Sequence, residues 1–313
     1  MEAVCINRIL VTGRLYKELE KALTGRTEKE FLFLPEDKVN VEALDWADAY
    51  VAFRPVENFN FYNLKWIHAL GAGVDSFLFN RAWKKDVVLT RTICSFGTKI
   101  SEYCLSYILS DLQKQETFES QQCLQKWQQH EPKQLKAQKI LIIGTGVIGQ
   151  EVAKNLSLLG VQPLGVSLSG EKKQYFNKIF KFDEISTMLS EIDWIINTLP
   201  LTEATEGIIG KNLLGGLSNA CFINVGRGKS VDEKALLQAL DSGRLRKAVL
   251  DVFAVEPLPE DSSLWRHPNI IITPHISAIT SVEEGVECFL DTLRGMEQGC
   301  NSLPNLVDTK RGY

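Results

Sequence analysis

The sequence lacks most of the features that mark specialised classes of protein. No apolar run approaches the ~20 residues needed to cross a bilayer, so no membrane partner is expected. The amino-terminal stretch carries an early acid, Glu2, and no long apolar core, so no signal peptide is expected. Basic residues are not in excess: the formal net charge is −4, which favours no nucleic-acid partner. The seven cysteines are odd in number, show no C-x-x-C spacing and do not cluster with histidine. That pattern argues against a disulfide framework or a zinc site and fits a reducing cytoplasm. G-x-S-x-G, H-E-x-x-H and EF-hand patterns are absent. Gly228-Lys229-Ser230 ends like a P-loop, but Ile223 stands where that loop needs a glycine.

What remains is ordinary globular material. Of 313 residues, 44% are hydrophobic and 24% charged, enough for two domains with their own cores. Lys139 to Ile143 is a short apolar run suited to a strand buried on both faces. Gly144-Thr145-Gly146-Val147-Ile148-Gly149 follows, and then a helical pattern from Gln150 to Leu159 that Gly160 stops. Strand, glycine turn and helix form the context of a dinucleotide-binding turn. Gly144 would allow the tight turn, Gly146 the approach of a pyrophosphate, and Gly149 close packing of helix on strand. The first helical amides, from Val147 and Ile148 onward, would face the phosphates.

Further apolar runs begin at Leu164, Tyr175, Trp194, Cys221, Ala248 and Ile270, with a helix over Val231 to Leu240. This alternation predicts a Rossmann-type, doubly wound parallel sheet. The glycine turn lies mid-chain, so earlier residues need their own unit. Runs at Arg8–Val11, Ala49–Phe53, Trp66–Leu70 and Val87–Thr90 predict a second, smaller flavodoxin-like α/β domain. A long helix over Lys99 to Trp127, glutamine-rich in its later half, is expected to bridge to the larger domain.

Ligands of open parallel sheets bind beyond the carboxyl ends of the strands. Thr198-Leu199-Pro200, Val225-Gly226-Arg227, Asp251 with Glu256, and His275 all follow predicted strands. Of four histidines only His275 has that position, and the convergence marks His275 as a candidate catalytic residue and Arg227 as a candidate ligand-binding one. Glu256 reads equally well as a loop acid before Pro257. Leu70-Gly71-Ala72-Gly73-Val74-Asp75 reads either as an anion-binding nest or as a plain strand-to-helix turn. After the second strand of the larger domain come Ser167, Leu168 and Ser169, with no carboxylate to receive a ribose 2′-hydroxyl. Those serines and Lys172 favour NADP(H) over NAD(H). Arg54, Trp46 and Phe96 are further pocket candidates.

These segments resemble the D-isomer-specific 2-hydroxyacid dehydrogenase family, and within it the glyoxylate/hydroxypyruvate reductase A subgroup. The matching stretches are LGAGVD at 70–75, GTGVIG at 144–149, TLPLTEATEGIIG at 198–210, INVGRG at 223–228, LDVFAVEPLP at 250–259 and LWRHPNIIITPHISAIT at 264–280. The resemblance implies reduction of a small 2-oxo acid to a 2-hydroxy acid with a nicotinamide cofactor and no metal. Arg227 would bind the substrate carboxylate and polarise its carbonyl, His275 would be the general acid, and Glu256 would keep His275 protonated. The backbone at Ala72, Gly73 and Val74 would hold the substrate carboxylate. Thr198, Leu199, Pro200, Val225 and Gly226 would line the cofactor, and Asp251 would lie near the nicotinamide amide. The resemblance also implies a substrate-binding domain of 1–98 plus 285–313, a dinucleotide-binding domain of 99–284 and a homodimer with a crossed helical arm. The subgroup's basic residues after the second strand are replaced here by Leu168 and Gly170. A dinucleotide-sensing, corepressor-like protein with little turnover is the alternative.

Overall fold

The computed structural model describes residues 5–299 and 303–313. The chain divides into two compact units: one runs up to Cys94 and resumes at Thr280, and the other is Ser95–Ile279. The first unit contains β1 (Arg8–Thr12), α1 (Tyr16–Leu23), β2 (Glu30–Leu34), α2 (Val41–Trp46), β3 (Ala49–Ala52), β4 (Trp66–Ala69), α3 (Asp75–Leu78) and β5 (Val88–Arg91). The second contains α4 (Phe96–Leu112), α5 (Gln115–Cys123), β6 (Ile140–Ile143), α6 (Val147–Leu158), β7 (Leu164–Val166), β8 (Lys178–Phe180), β9 (Trp194–Asn197), α7 (Lys211–Gly215), β10 (Ala220–Asn224), α8 (Glu233–Asp241), β11 (Leu245–Leu250) and β12 (Ile270–Ile272). The chain then returns to the first unit through α9 (Val282–Glu297).

All strand pairs within both sheets are parallel. The larger sheet has the order β12-β11-β10-β9-β6-β7-β8. Strand order reverses at β6, so the doubly wound crevice opens beyond β6 and β9. In β6 the side chains alternate: Leu141 and Ile143 join a core with α7 and α8, while Ile140 and Ile142 join a core with α4 and α6. Period-two burial on both faces is what a strand between two helical layers requires. On α4, Ile100, Cys104, Ile108 and Leu112 form a four-residue stripe on that second core.

The smaller sheet has the flavodoxin-like order β2-β1-β3-β4-β5. Trp66 of β4 stacks on Phe289 of α9, with ring centroids 5.3 Å apart. That contact ties the returning carboxyl-terminal helix to this sheet. Two sequence expectations fail here. The edge strand β2 was not among the expected runs; its residues are only partly buried, which blurs the alternation. The continuous helix over 99–127 is instead two helices, because Lys114 takes left-handed backbone angles (φ 60°) between them. The glutamine-rich α5 buries no side chain, so packing does not hold it in line with α4.

His68 lies in the interior of the smaller unit and is fully buried. Trp66 Nε1 donates to Thr90 Oγ1 (2.8 Å), and Thr90 meets His68 Nδ1 at 2.8 Å. Thr92 donates its hydroxyl to the carbonyl of Ala69 and therefore accepts from His68 Nε2–H (3.3 Å). The ring is thus neutral with its proton on Nε2, and burial lowers its pKa to about 3. An unfolded histidine takes a proton near pH ~6.5, which the folded one refuses, so stability falls as pH drops from there toward the folded value. In calorimetric melts across that acid range, His68→Gln should show a shallower loss of Tm than the unaltered protein. Equal slopes would overturn this assignment.

Candidate active site

The turn after β6 is built from backbone closeness. Gly144 has φ 101°, a left-handed conformation suited to glycine. A β-carbon on Gly149 would lie 1.9 Å from the carbonyl oxygen of Gly144, so no larger residue fits where α6 meets the turn. Gly146 differs, with no protein atom within 4 Å of where its β-carbon would stand. It is exposed, as are Val147 and the open end of α6. The turn therefore leaves a smooth cradle at a helix amino terminus, where backbone N–H groups favour a phosphate. Thr198 Oγ1 donates to the carbonyl of Gly144 (3.0 Å), fixing the turn to the end of β9. These residues fit a dinucleotide pyrophosphate.

Beyond β9 and β10 the interior turns polar. Asn197 Nδ2 donates to Asn224 Oδ1 and to Ser230 Oγ, each at 2.8 Å, and its Oδ1 accepts the Leu199 amide. Ser230 Oγ in turn donates to the carbonyl of Arg227 (2.6 Å). This fully buried asparagine pair sets the strand-end loops that carry Leu199 and Arg227. A β-carbon at Gly226 would stand 2.7 Å from the Leu199 carbonyl, and one at Gly228 only 1.8 Å from the carbonyl carbon of Phe253. Gly226 thus lets the Arg227 loop press against the loop after β9, and Gly228 lets it press against the loop that holds Glu256.

Two of the three expected catalytic residues, His275 and Glu256, are in direct contact, and the charge of Arg227 reaches the same carboxylate. His275 Nδ1 lies 2.7 Å from Glu256 Oε2, and the Phe253 amide donates to Glu256 Oε1 (2.9 Å). Burial opposes ionisation of Glu256. The hydrogen bonds from His275 and Phe253, with the charges of His275 and Arg227, outweigh it and hold the carboxyl below its usual range. The ionised carboxylate only accepts, so Nδ1 carries a proton and Nε2 is the nitrogen presented outward. Because the folded pKa of Glu256 is depressed, its stabilising contribution is present above the unfolded value and lost as pH falls through the folded one. His275 is exposed and has φ 54°, an uncommon left-handed angle for a side-chain-bearing residue.

Asp251 is fully buried. Its carboxylate accepts from Thr273 Oγ1 (2.6 Å) and from the amides of Ile276 (2.8 Å) and Ser277 (2.9 Å), bracketing His275. After β7, Ser167 Oγ accepts from the Gly170 amide (3.1 Å) and Ser169 Oγ from that of Glu171 (3.3 Å). Leu168 and Lys172 are exposed, and Lys173 pairs with Glu171 at 3.5 Å. Pro200 and Val225 stand at the ends of β9 and β10, beside Leu199 and Gly226. In the smaller unit Ala72, Gly73 and Val74 follow β4, and Arg91 Nη1 donates to the carbonyl of Ala72 (3.2 Å). Arg54 there is paired with Glu36 (2.8 Å), and Trp46 has the Arg8 guanidinium over its ring. Phe96 is buried at the start of α4 in the larger unit. Sequence reasoning gives Asn197, Asn224 and Thr273 a place at strand ends but no role, and it meets Ser230 only as the end of a false P-loop.

A doubly wound sheet with a phosphate-cradling glycine turn at its switch point, and Arg, Glu and His beyond neighbouring strands, defines a dinucleotide-linked dehydrogenase. Residues 105–277 match the family described as D-isomer specific 2-hydroxyacid dehydrogenase, NAD binding domain. The chain is 32% identical, over all of both sequences, to a glyoxylate/hydroxypyruvate reductase A of Klebsiella pneumoniae. It superposes with TM-score 0.86 and 31% identity on a D-isomer specific 2-hydroxyacid dehydrogenase family protein of Aeromonas salmonicida, covering 97% of this chain and 100% of that one. It superposes with TM-score 0.85 and 29% identity on an NADPH-dependent glyoxylate/hydroxypyruvate reductase of Sinorhizobium meliloti in complex with NADP and sulfate, covering 98% and 100%. The chain belongs to the D-isomer specific 2-hydroxyacid dehydrogenase family.

The glycines separate folding from binding. Gly149→Ala should destabilise the protein by about 3 kcal/mol, the upper end for an overpacked site, because backbone must move. Gly146→Ala should melt like the unaltered protein yet bind NADPH and NADH more weakly in fluorescence titrations. Unchanged dinucleotide binding by Gly146→Ala would overturn the cradle.

Proposed function

We propose that this protein reduces small 2-oxo acids, glyoxylate and hydroxypyruvate first, to 2-hydroxy acids with NADPH or NADH. The observation that carries the reading is the Arg227, Glu256 and His275 set on the sheet edge that also bears the glycine cradle. When bound, the reduced dinucleotide supplies hydride to the substrate carbonyl carbon. Negative charge then grows on the carbonyl oxygen. Arg227 stabilises that charge and binds the carboxylate, and His275 Nε2 delivers the proton. Glu256, held ionised, accepts from Nδ1 of His275 and so fixes the imidazole with Nε2 free for the transfer. Ala72, Gly73 and Val74 are assigned the substrate carboxylate. Thr198, Leu199, Pro200, Val225 and Gly226 are assigned the wall of the cofactor site. The smaller unit then serves the substrate and the larger one the dinucleotide.

NADP(H) is the preferred cofactor on this reading. The residues after β7 offer Ser167, Ser169 and Lys172, and the one carboxylate there, Glu171, is paired with Lys173. A dinucleotide-sensing role with little turnover is not favoured, because the relatives carry reductase names. The reading places the protein in the cytoplasm, where cysteines stay reduced. It also takes it as a homodimer whose arm includes the segment after α5. There Leu124 is 60% and Trp127 97% exposed, which supports a covered apolar surface. Sedimentation at a single-chain mass would refute the dimer.

In a spectrophotometric assay, glyoxylate and hydroxypyruvate should oxidise NADPH with higher kcat/KM than NADH. No turnover with any 2-oxo acid would defeat the reading. His275→Ala should lower kcat by about 100- to 10,000-fold, the range of a lost general acid, while NADPH affinity stays near normal. Equal loss of both would make His275 structural. Glu256→Gln should lower kcat by about tenfold to a hundredfold, the scale of a misplaced catalytic group, while NADPH affinity stays near normal. An unchanged kcat would exclude a positioning role for Glu256.

A further inference from the structure

Helix α4 touches the acid-bearing loop twice. Tyr103 Oη lies 2.6 Å from Thr273 Oγ1, and one turn earlier Lys99 Nζ donates to the carbonyl of Ile279 (3.0 Å). Residues 99 and 103 share a helix face, so one surface of α4 holds both ends of the segment that contains His275. The direction of the hydrogen bonds follows from their last member. Asp251 accepts from Thr273 (2.6 Å), which uses the only hydroxyl proton of the threonine. Tyr103 must therefore donate to Thr273. The chain runs from the tyrosine hydroxyl through the threonine to a buried carboxylate that also receives the amides of Ile276 and Ser277. Burial, the larger cause, and the nearby Asp251 charge raise the tyrosine pKa despite the Thr273 bond, which keeps the donor protonated.

The other side of α4 is fixed as well. A β-carbon on Gly97 would lie 2.6 Å from Cβ of Glu151 on α6, so α4 rests directly on the helix that opens at the glycine cradle. One helix thus couples the phosphate-binding turn to the loop of the proton donor. The left-handed angle at His275 is the conformation such a clamp has to enforce. Backbone held there persists only where its surroundings over-determine it.

We propose that Tyr103, acting through Thr273 and Asp251, is a positioning residue for the reduction: it holds the His275 turn so that the imidazole stays on Glu256. This rests on the reductase reading above. Tyr103 touches neither substrate nor dinucleotide on this account. Removing its hydroxyl should change the proton-transfer step and leave dinucleotide binding alone.

The test uses the full chain with Tyr103→Phe, Thr273→Val and Thr273→Ser. Tyr103→Phe and Thr273→Val should each lower kcat with glyoxylate by about tenfold to a hundredfold, the scale of a misplaced catalytic group, with KM for NADPH within about twofold. Thr273→Ser, which keeps the hydroxyl, should restore most of the rate. Independently of turnover, the His275 imidazole resonances, assigned by comparison with His275→Ala, should shift or broaden in Tyr103→Phe while those of His68 do not. Full activity and unchanged His275 resonances in Tyr103→Phe would overturn the proposal. If the unaltered protein reduces no 2-oxo acid, the reductase reading fails, and the resonances alone decide whether Tyr103 holds His275. A matched loss of rate and melting temperature that Thr273→Ser does not repair would make the contact structural and also overturn it.

Discussion

Backbone approaches that no β-carbon can enter govern the carboxyl edge of the larger sheet. Gly149 lies against the carbonyl of Gly144, Gly226 against Leu199, and Gly228 against Phe253. The second and third contacts join the loop after one strand to the loop after another. The first seats α6 on the turn after β6. The second and third stack the loops after β9, β10 and β11, so that Arg227 and Glu256 share one neighbourhood. Side chains at these positions would push the loops apart by ångströms, and the charges would no longer act on one another. Packing at this density explains why the site is set by backbone before any polar contact is made.

The polar contacts then supply direction. Asn197 and Asn224 are buried in a layer where parallel strands are otherwise apolar, and an unsatisfied amide there costs about 1–3 kcal/mol. Their hydrogen bonds to each other, to Ser230 and to the Leu199 amide offset that penalty. Asp251 has the same role at the end of the next strand, β11. Its carboxylate is fully buried and held by three donors from the turn at His275. The networks differ from the glycine contacts in what they transmit. Glycines bring loops close, whereas the amides and carboxylates select one orientation of each loop.

The sequence made the strands of the larger sheet and the glycine turn legible, because a buried strand and a tight turn leave local patterns. Arg227 and His275 were legible through topology: residues after parallel strands collect at one edge. The contact between His275 and Glu256 was legible only through the family resemblance, not in the residues themselves. A carboxylate in a loop before a proline has many local uses, and only the fold brings a residue 19 positions away to 2.7 Å. Tyr103 was less legible still. It lies on a helix whose apolar stripe explains its neighbours, and its partner is 170 residues distant. The break at Lys114 was missed for the opposite reason, since helix-compatible composition continues through a region where nothing is buried. Polar contacts between distant segments and interruptions of exposed helices leave no periodic trace.

The electrostatics of the His275–Glu256 pair depend on the same loop closeness. Burial pushes the Glu256 carboxyl toward its neutral form, and four influences oppose it: the hydrogen bonds from His275 and from the Phe253 amide, and the charges of His275 and Arg227. The Phe253 amide and Arg227 belong to the two loops that Gly228 allows to meet. In the proposed reduction this arrangement sets a guanidinium near an imidazole whose Nδ1 is already engaged by a carboxylate, so that a positive charge and a proton donor serve one substrate oxygen. A side chain at position 228 would separate Arg227 from Glu256 and weaken that arrangement without altering any of the three side chains.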